Sequence, residues 1–236
     1  MMLSHTSFRT TAVAIAALFL APAAACASIV VPAGLVAGQK YHLVFVTSGT
    51  TTAPLSSHIG HYNDFVNREA VQQDAITKDW GTEWFAIGST SQVNARDNAV
   101  VSAPVYLLDG TTQIAAGEVD MWDGDILSSL AIDQKGVYGV NSTLHVWTGS
   151  SAAGYSGDYD SYLGSVTPRA GWHPAIGHWW LSDQNKNYSE TFSMYALSEV
   201  LTVPPSNAIP EPTSLLVWTG LATAGVWVTR RRRRKS

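Results

Sequence analysis

Apolar residues recur at helical spacing most clearly in one stretch. Ile59, Tyr62, Phe65, Val66 and Ala70 keep the i, i+3, i+4 rhythm of a single buried stripe. Ser56 or Ser57 stands where an N-cap hydroxyl belongs, which predicts a helix from there to about Gln73. The rest of the pattern is that of strands. Ile29–Val36 and Lys40–Thr47 predict the first two, because Tyr41-His-Leu-Val-Phe-Val46 is dense in β-forming residues. Trp84–Gly88 and Pro104–Leu108 predict two more, the latter ended by the Asp109-Gly110 turn. Thr191–Val203 alternates in part and predicts a closing strand.

Between these lie stretches with no long element: Asp120–Asp125, Val146–Gly149, Gly154–Gly164 and Gly171–Trp180. They are rich in Gly, Asp and aromatic residues. Flexible linkers do not carry so many tryptophans, so a packed, loop-rich half is expected. Strand, helix, strands, loops and a last strand predict an α+β domain whose two ends meet in one small antiparallel sheet. A β-sandwich is the alternative, and the helix counts against it.

The two ends change the picture. Arg9, the apolar run Thr11–Leu20, Pro22 and Ala25-Cys26-Ala27 follow the order of a secretory signal, with signal peptidase cutting after Ala27. Lipidation of Cys26 is the other processing route. At the far end Ser214–Val228 is apolar or small throughout, with Trp218 and Trp227 near its ends. At 1.5 Å per residue it reaches roughly 22–25 Å, short of the ~30 Å hydrocarbon core but within what snorkelling and thinning absorb. Arg230, Arg231, Arg232, Arg233 and Arg234 follow, and such a run is held on the cytoplasmic side. The expected divisions are a signal peptide over 1–27, a globular extracellular domain over 28–203, a linker over 204–209, and a transmembrane anchor over 210–236.

Pro210-Glu211-Pro212, the apolar helix and the arginine cluster, in that order, resemble the PEP-CTERM sorting signal. That signal belongs to exported proteins of Gram-negative bacteria that make extracellular polysaccharide. The resemblance implies an exosortase as partner, with Pro210, Glu211 and Pro212 as the residues it recognises and Arg230–Arg234 stopping transfer. It also implies a transient inner-membrane anchor, then release to the cell surface or the biofilm matrix. More diffusely, residues 40 to 203 resemble the C-type-lectin-like fold. Trp84-Phe-Ala-Ile-Gly88 sits where that fold places its W-I-G-L strand. Trp180-Leu-Ser-Asp183 precedes the last strand as W-N-D does there, and Phe192–Glu199 looks like the closing strand. The fold's cysteines and its sugar-selecting Glu-Pro-Asn or Gln-Pro-Asp triplet are missing.

With both ends set aside, the near-neutral whole-chain charge of −4 gives way to an acidic domain. Seven bases face seventeen acids there, a net charge near −10. That argues against nucleic acid or anionic lipid as partners and is compatible with cations. Cys26 is the single cysteine, so a domain without it has no disulfide.

Candidate chemistry concentrates in the loop-rich half. Asp120, Asp123 and Asp125 on a bent, Gly-containing segment offer oxygens for a structural Ca²⁺, although their spacing is not that of an EF-hand; the same residues serve equally as turn-forming aspartates. Asp158 with Asp160, and Asp183, are further acidic spots. Trp172, His173, His178, Trp179 and Trp180 form an aromatic patch, and Trp179, Trp180 and Asp183 are the candidate glycan contacts. The competing assignment makes these tryptophans core. His58 and His61, at i, i+3 on the helix, share the spacing of a metal pair without an evident third ligand. No nucleophile elbow, His-Glu-x-x-His or phosphate loop is present, so no catalytic residue is assigned. The expectation is a non-enzymatic, exosortase-sorted surface or matrix protein for adhesion or binding of extracellular polysaccharide. A hydrolase of matrix polymers and a purely structural coat component are the alternatives.

Overall fold

The computed structural model describes residues 28–53, 56–139, 144–158 and 160–205. The expected signal peptide, linker positions 206–209, the Pro210-Glu211-Pro212 motif, the apolar segment and the arginine run lie outside the described residues. Among those described, no helix is long and apolar enough to cross a membrane.

The chain folds as α+β, mostly sheet with few helices. Strand β1 (Lys40–Val46) pairs antiparallel with β8 (Ser193–Ser198), so the two ends of the domain meet in one sheet, although that sheet is larger than expected and mixed, with two parallel pairings, instead of small and antiparallel. On its other side β1 runs parallel to β3 (Val105–Leu107), and β3 pairs with β4 (Gln113–Ala115). Beyond β8 come β5 (His145–Trp147), β6 (Arg169–Trp172) and β7 (Gln184–Asn185). Strand β2 (Trp84–Ala86) also pairs with β8, and β9 (Leu201–Thr202) with β1. All nine strands of the described residues join one connected sheet, whereas a sandwich needs two.

Tyr41–Val46 of β1 and every residue of β8 are buried. Both strands are covered on both faces, so even their polar residues His42, Ser193 and Ser198 are buried. Trp84, Trp147 and Trp180 are fully buried, and the Phe45 ring meets Trp84 edge-on at 4.7 Å.

Helix α1 (Ile59–Ala70), shorter at both ends than expected, buries Tyr62, Val66 and Ala70 of the predicted stripe and leaves Ile59 and Phe65 half-buried. Its N-cap is His58 and makes no side-chain cap, while the Ser56 hydroxyl accepts the His58 N–H at 3.2 Å. Two asparagines on α1 take over the free edge of β2. The Trp84 N–H donates to Asn67 Oδ1 at 3.0 Å, and Asn67 Nδ2 donates back to the Trp84 carbonyl at 2.6 Å. One pleat further on, the Ala86 N–H donates to Asn63 Oδ1 at 2.9 Å. The Ala86 carbonyl accepts from Asn98, at the end of the short helix α2 (Ala95–Asn98), at 2.8 Å.

The expected first strand, Ile29–Val36, does not form. Pro32 cannot donate to a ladder and Gly34 sits at φ +86°, so the segment turns twice instead of extending. It packs on the Asp109-Gly110 turn, with the Ala33 N–H donating to the Gly110 carbonyl at 2.8 Å. The loop-rich half, conversely, holds β4 to β7, each only two to four residues long.

A buried imidazole gives the fold a pH dependence. His42 Nδ1 donates to the Ser198 carbonyl at 2.9 Å, and Nε2 accepts the Ser102 N–H at 3.1 Å, which fixes one neutral tautomer. Burial holds its pKa below the ordinary value, and burial does the same to His173. A histidine whose folded pKa is lowered gives stability that is complete above the unfolded value of about 6.5. That contribution is lost as pH falls through the lowered folded value, with a slope of up to about 1.4 kcal/mol per pH unit per group. Urea melts at about pH 7.5 and about pH 5.5, both above the carboxylate range, are expected to show a lower midpoint in acid. Equal midpoints contradict the assignment.

Candidate functional site

Two neighbouring loops carry the exposed chemistry of the loop-rich half. The first follows the short helix α3 (Glu118–Met121). Trp122 and Ile126 point inward, whereas Asp123, Asp125 and Leu127 are exposed. The alternation is held from both sides: the Ile126 N–H donates to the Ile176 carbonyl at 2.7 Å and the Leu127 N–H to the Ile114 carbonyl at 2.9 Å. The chain turns at Gly124, φ +109°, where glycine is the residue that sits without strain.

The second loop runs from β6 to the 3₁₀ turn His178–Trp180. Successive residues of a 3₁₀ turn point about 120° apart, so adjacent tryptophans have opposite fates. Trp180 is fully buried. Its ring lies 6.4 Å from Trp122 and 5.7 Å from Tyr195, and its carbonyl accepts the Tyr195 hydroxyl at 3.0 Å. Trp179 is 51 % exposed, with the His178 ring 5.2 Å away. Ile176, on the same loop, is also exposed, and Gly177 lies beside the Asp125 carboxylate: a Cβ there would stand 3.5 Å from Asp125 Oδ1. Leu127, Ile176 and Trp179 are thus exposed on two loops joined by the Ile126–Ile176 backbone bond, with Asp125 beside Gly177 and Asp123 two residues away in sequence.

The predicted contacts Trp179, Trp180 and Asp183 do not act together. Trp180 is core, which corrects its assignment as a ligand contact. Asp183 lies against the sheet, where its Oδ2 is 3.2 Å from His145 Nε2. The Gln184 side-chain amide completes this cluster, 2.8 Å from the same ring nitrogen and 3.3 Å from Asp183 Oδ2. No hydroxyl or thiol of the described residues is a partner of that imidazole in these contacts. His145 is separated from Asp183 by 38 positions, so no local spacing could have disclosed the pair.

The proposed calcium ligands are not gathered either. Asp120 Oδ2 turns back to accept the Ala116 N–H at 2.6 Å, and Asp123 Oδ1 accepts the Asp125 N–H at 3.0 Å. They are turn-forming aspartates, the competing assignment. Among the described residues no three His, Cys, Asp or Glu side chains are grouped so as to hold a metal ion. His58 and His61 are exposed on α1, with the His61 ring 5.7 Å from Tyr62.

Other surface features are simpler. Arg96 lies 4.9 Å over the Tyr155 ring and pairs with Glu118 at 3.3 Å. A cleft of about 830 Å³ runs between Ser28–Val31 and Glu199–Thr202, closed by Tyr41 and Pro204. Its lining is mainly aliphatic, with Glu199 its one carboxylate among the described residues. The chain matches no protein-family model, and no curated protein matches it.

Proposed function

We propose that this chain is an exported, exosortase-sorted protein of the cell surface or extracellular matrix that binds glycan or polymer without catalysing a reaction. The observation that carries the binding half is Trp179: an indole held half in solvent by a turn whose next residue is locked in the core. A rigid, exposed indole stacks on the apolar C–H face of a sugar with little entropy left to lose. Exposed carboxylates beside it accept hydrogen bonds from hydroxyl groups. The sorting half rests on Pro210-Glu211-Pro212, the apolar segment and Arg230–Arg234.

A C-type-lectin-like arrangement is the finer fold we favour. The antiparallel pairing of β1 with β8, the helix after β1, and the Trp84 strand on β8 support it. Sugar binding here would not use that fold's calcium triplet, since the triplet is missing and Asp120 and Asp123 each give an oxygen to a backbone N–H. A hydrolase of matrix polymers would need a histidine joined to two acids; His145 meets one acid and one amide.

A glycan array probed with the full chain in mild detergent, with and without calcium, tests the binding half. Retention on polysaccharide features unaffected by chelation is the expected result. An array blank under both conditions sinks it. Fractionation of producing cells tests the sorting half: Glu211→Ala is expected to leave the chain with the inner membrane while the parent reaches the surface. Identical distributions refute the motif's role.

A further inference from the structure

Resting on that glycan-binding reading, we infer that the Trp179 face selects a cationic amino-sugar polymer, one whose pyranose rings carry free ammonium groups. The first argument is local charge. Segment 113–127 carries Glu118, Asp120, Asp123 and Asp125 with no Lys or Arg, and segment 173–183 carries Asp183 with none. The exposed apolar residues Leu127, Ile176 and Trp179 are therefore bordered by carboxylates and by His178, and by no fixed cation of either loop. Arg96 is occupied by Glu118 and Tyr155.

The second argument is the field of the whole domain. Seven bases against seventeen acids repel a polyanion such as a uronate polymer and attract a polycation. The third is division of labour at the two loops. Asp123 Oδ1 is spent on the Asp125 N–H, which stiffens the turn and leaves the carboxylates' remaining lone pairs for a ligand. Exposure of both residues keeps their desolvation cost low when an ammonium arrives. The ring face stacks on Trp179, and the ammonium pairs with Asp123 or Asp125.

The test compares chitosan oligomers, the same oligomers fully N-acetylated, and alginate oligomers, each titrated against the full chain in mild detergent. Chitosan is expected to bind at least about tenfold more tightly than the acetylated form, with an affinity that falls as salt rises. Trp179→Ala is expected to weaken chitosan binding about tenfold or more. The pair Asp123→Asn with Asp125→Asn keeps the acceptor that holds the turn and is expected to remove the preference for chitosan. A control pair, Asp64→Asn with Asp79→Asn, makes the same change in net charge elsewhere and is expected to keep it. Equal loss from both pairs means a diffuse charge effect and overturns the site. Equal binding of acetylated and free oligomers overturns the ammonium selection while leaving glycan binding intact. Binding to no oligomer removes both readings. Sedimentation showing a dimer that Trp179→Ala dissolves makes the face a contact between copies and overturns the inference.

Discussion

Replacing Gly171 with alanine is expected to destabilise the protein by about 3 kcal/mol, the upper end of what overpacking costs. Gly171 lies in β6 opposite Val146, where the 3₁₀ turn crosses close behind the strand. A Cβ at this position would stand 2.1 Å from the Trp180 carbonyl oxygen, 2.9 Å from its carbon and 3.2 Å from Leu181 Cα. All three obstacles are backbone, so no side chain can swing aside. Either β6 leaves its partners or the turn lifts, and the turn holds Trp180 in the core and Trp179 at the surface. The clash therefore reaches the candidate site as well as the fold. Urea denaturation reads the effect as a lower midpoint at unchanged slope. A loss below about 0.5 kcal/mol would show that strand and turn can separate cheaply.

Removing the Glu69 carboxylate is the second large change. Glu69 is 7 % exposed near the end of α1. Its oxygens accept the Gly49 N–H at 2.8 Å, the Gln134 amide at 3.0 Å and the Gln72 amide at 2.6 Å. Gln134 is itself fully buried, and it accepts the Ser48 N–H at 2.8 Å and donates to the Ser48 hydroxyl at 2.9 Å. One carboxylate thus ties the loop after β1, the helix end and the Asp133–Gly136 turn together. Glu69→Ala takes the acceptor from these three donors and opens a cavity, at a cost of about 3 kcal/mol. Glu69→Gln keeps one acceptor and is expected to cost about half as much. Thermal melts of the two variants separate the cases. Equal losses would mean that the volume of the side chain matters and its oxygens do not.

What the sequence disclosed follows from length and period. Helix α1 was legible because Ile59, Tyr62, Val66 and Ala70 repeat over three turns, enough to rise above noise. Strands β1 and β8 were legible because Tyr41–Val46 is dense in β-forming residues and Thr191–Val203 alternates in part. Strands β5, β6 and β7 were hidden, since two to four residues complete hardly one period. Ile29–Val36 misled by composition: its apolar residues cover a turn, and Pro32 and Gly34 decide its path. The site was half visible. Aromatic density pointed to residues 172–180, but the sequence could not say which of two adjacent tryptophans faces water. That depends on the 3₁₀ turn and on the Tyr195 hydroxyl donating to the Trp180 carbonyl, a contact across 15 positions. Asp120, Asp123 and Asp125 show the opposite failure. Acids near a glycine look alike as ligands and as turn formers until their partners are seen.

The asparagines of α1 bear on how this protein behaves when crowded. A short outer strand normally offers its amides to whichever chain arrives next, and sheets grow molecule by molecule along that seam. Here the seam at β2 is sealed from within: Asn63 and Asn67 stand in for the absent neighbour, rung by rung. Copies of this domain held at high local density can then meet without fusing to one another through this strand.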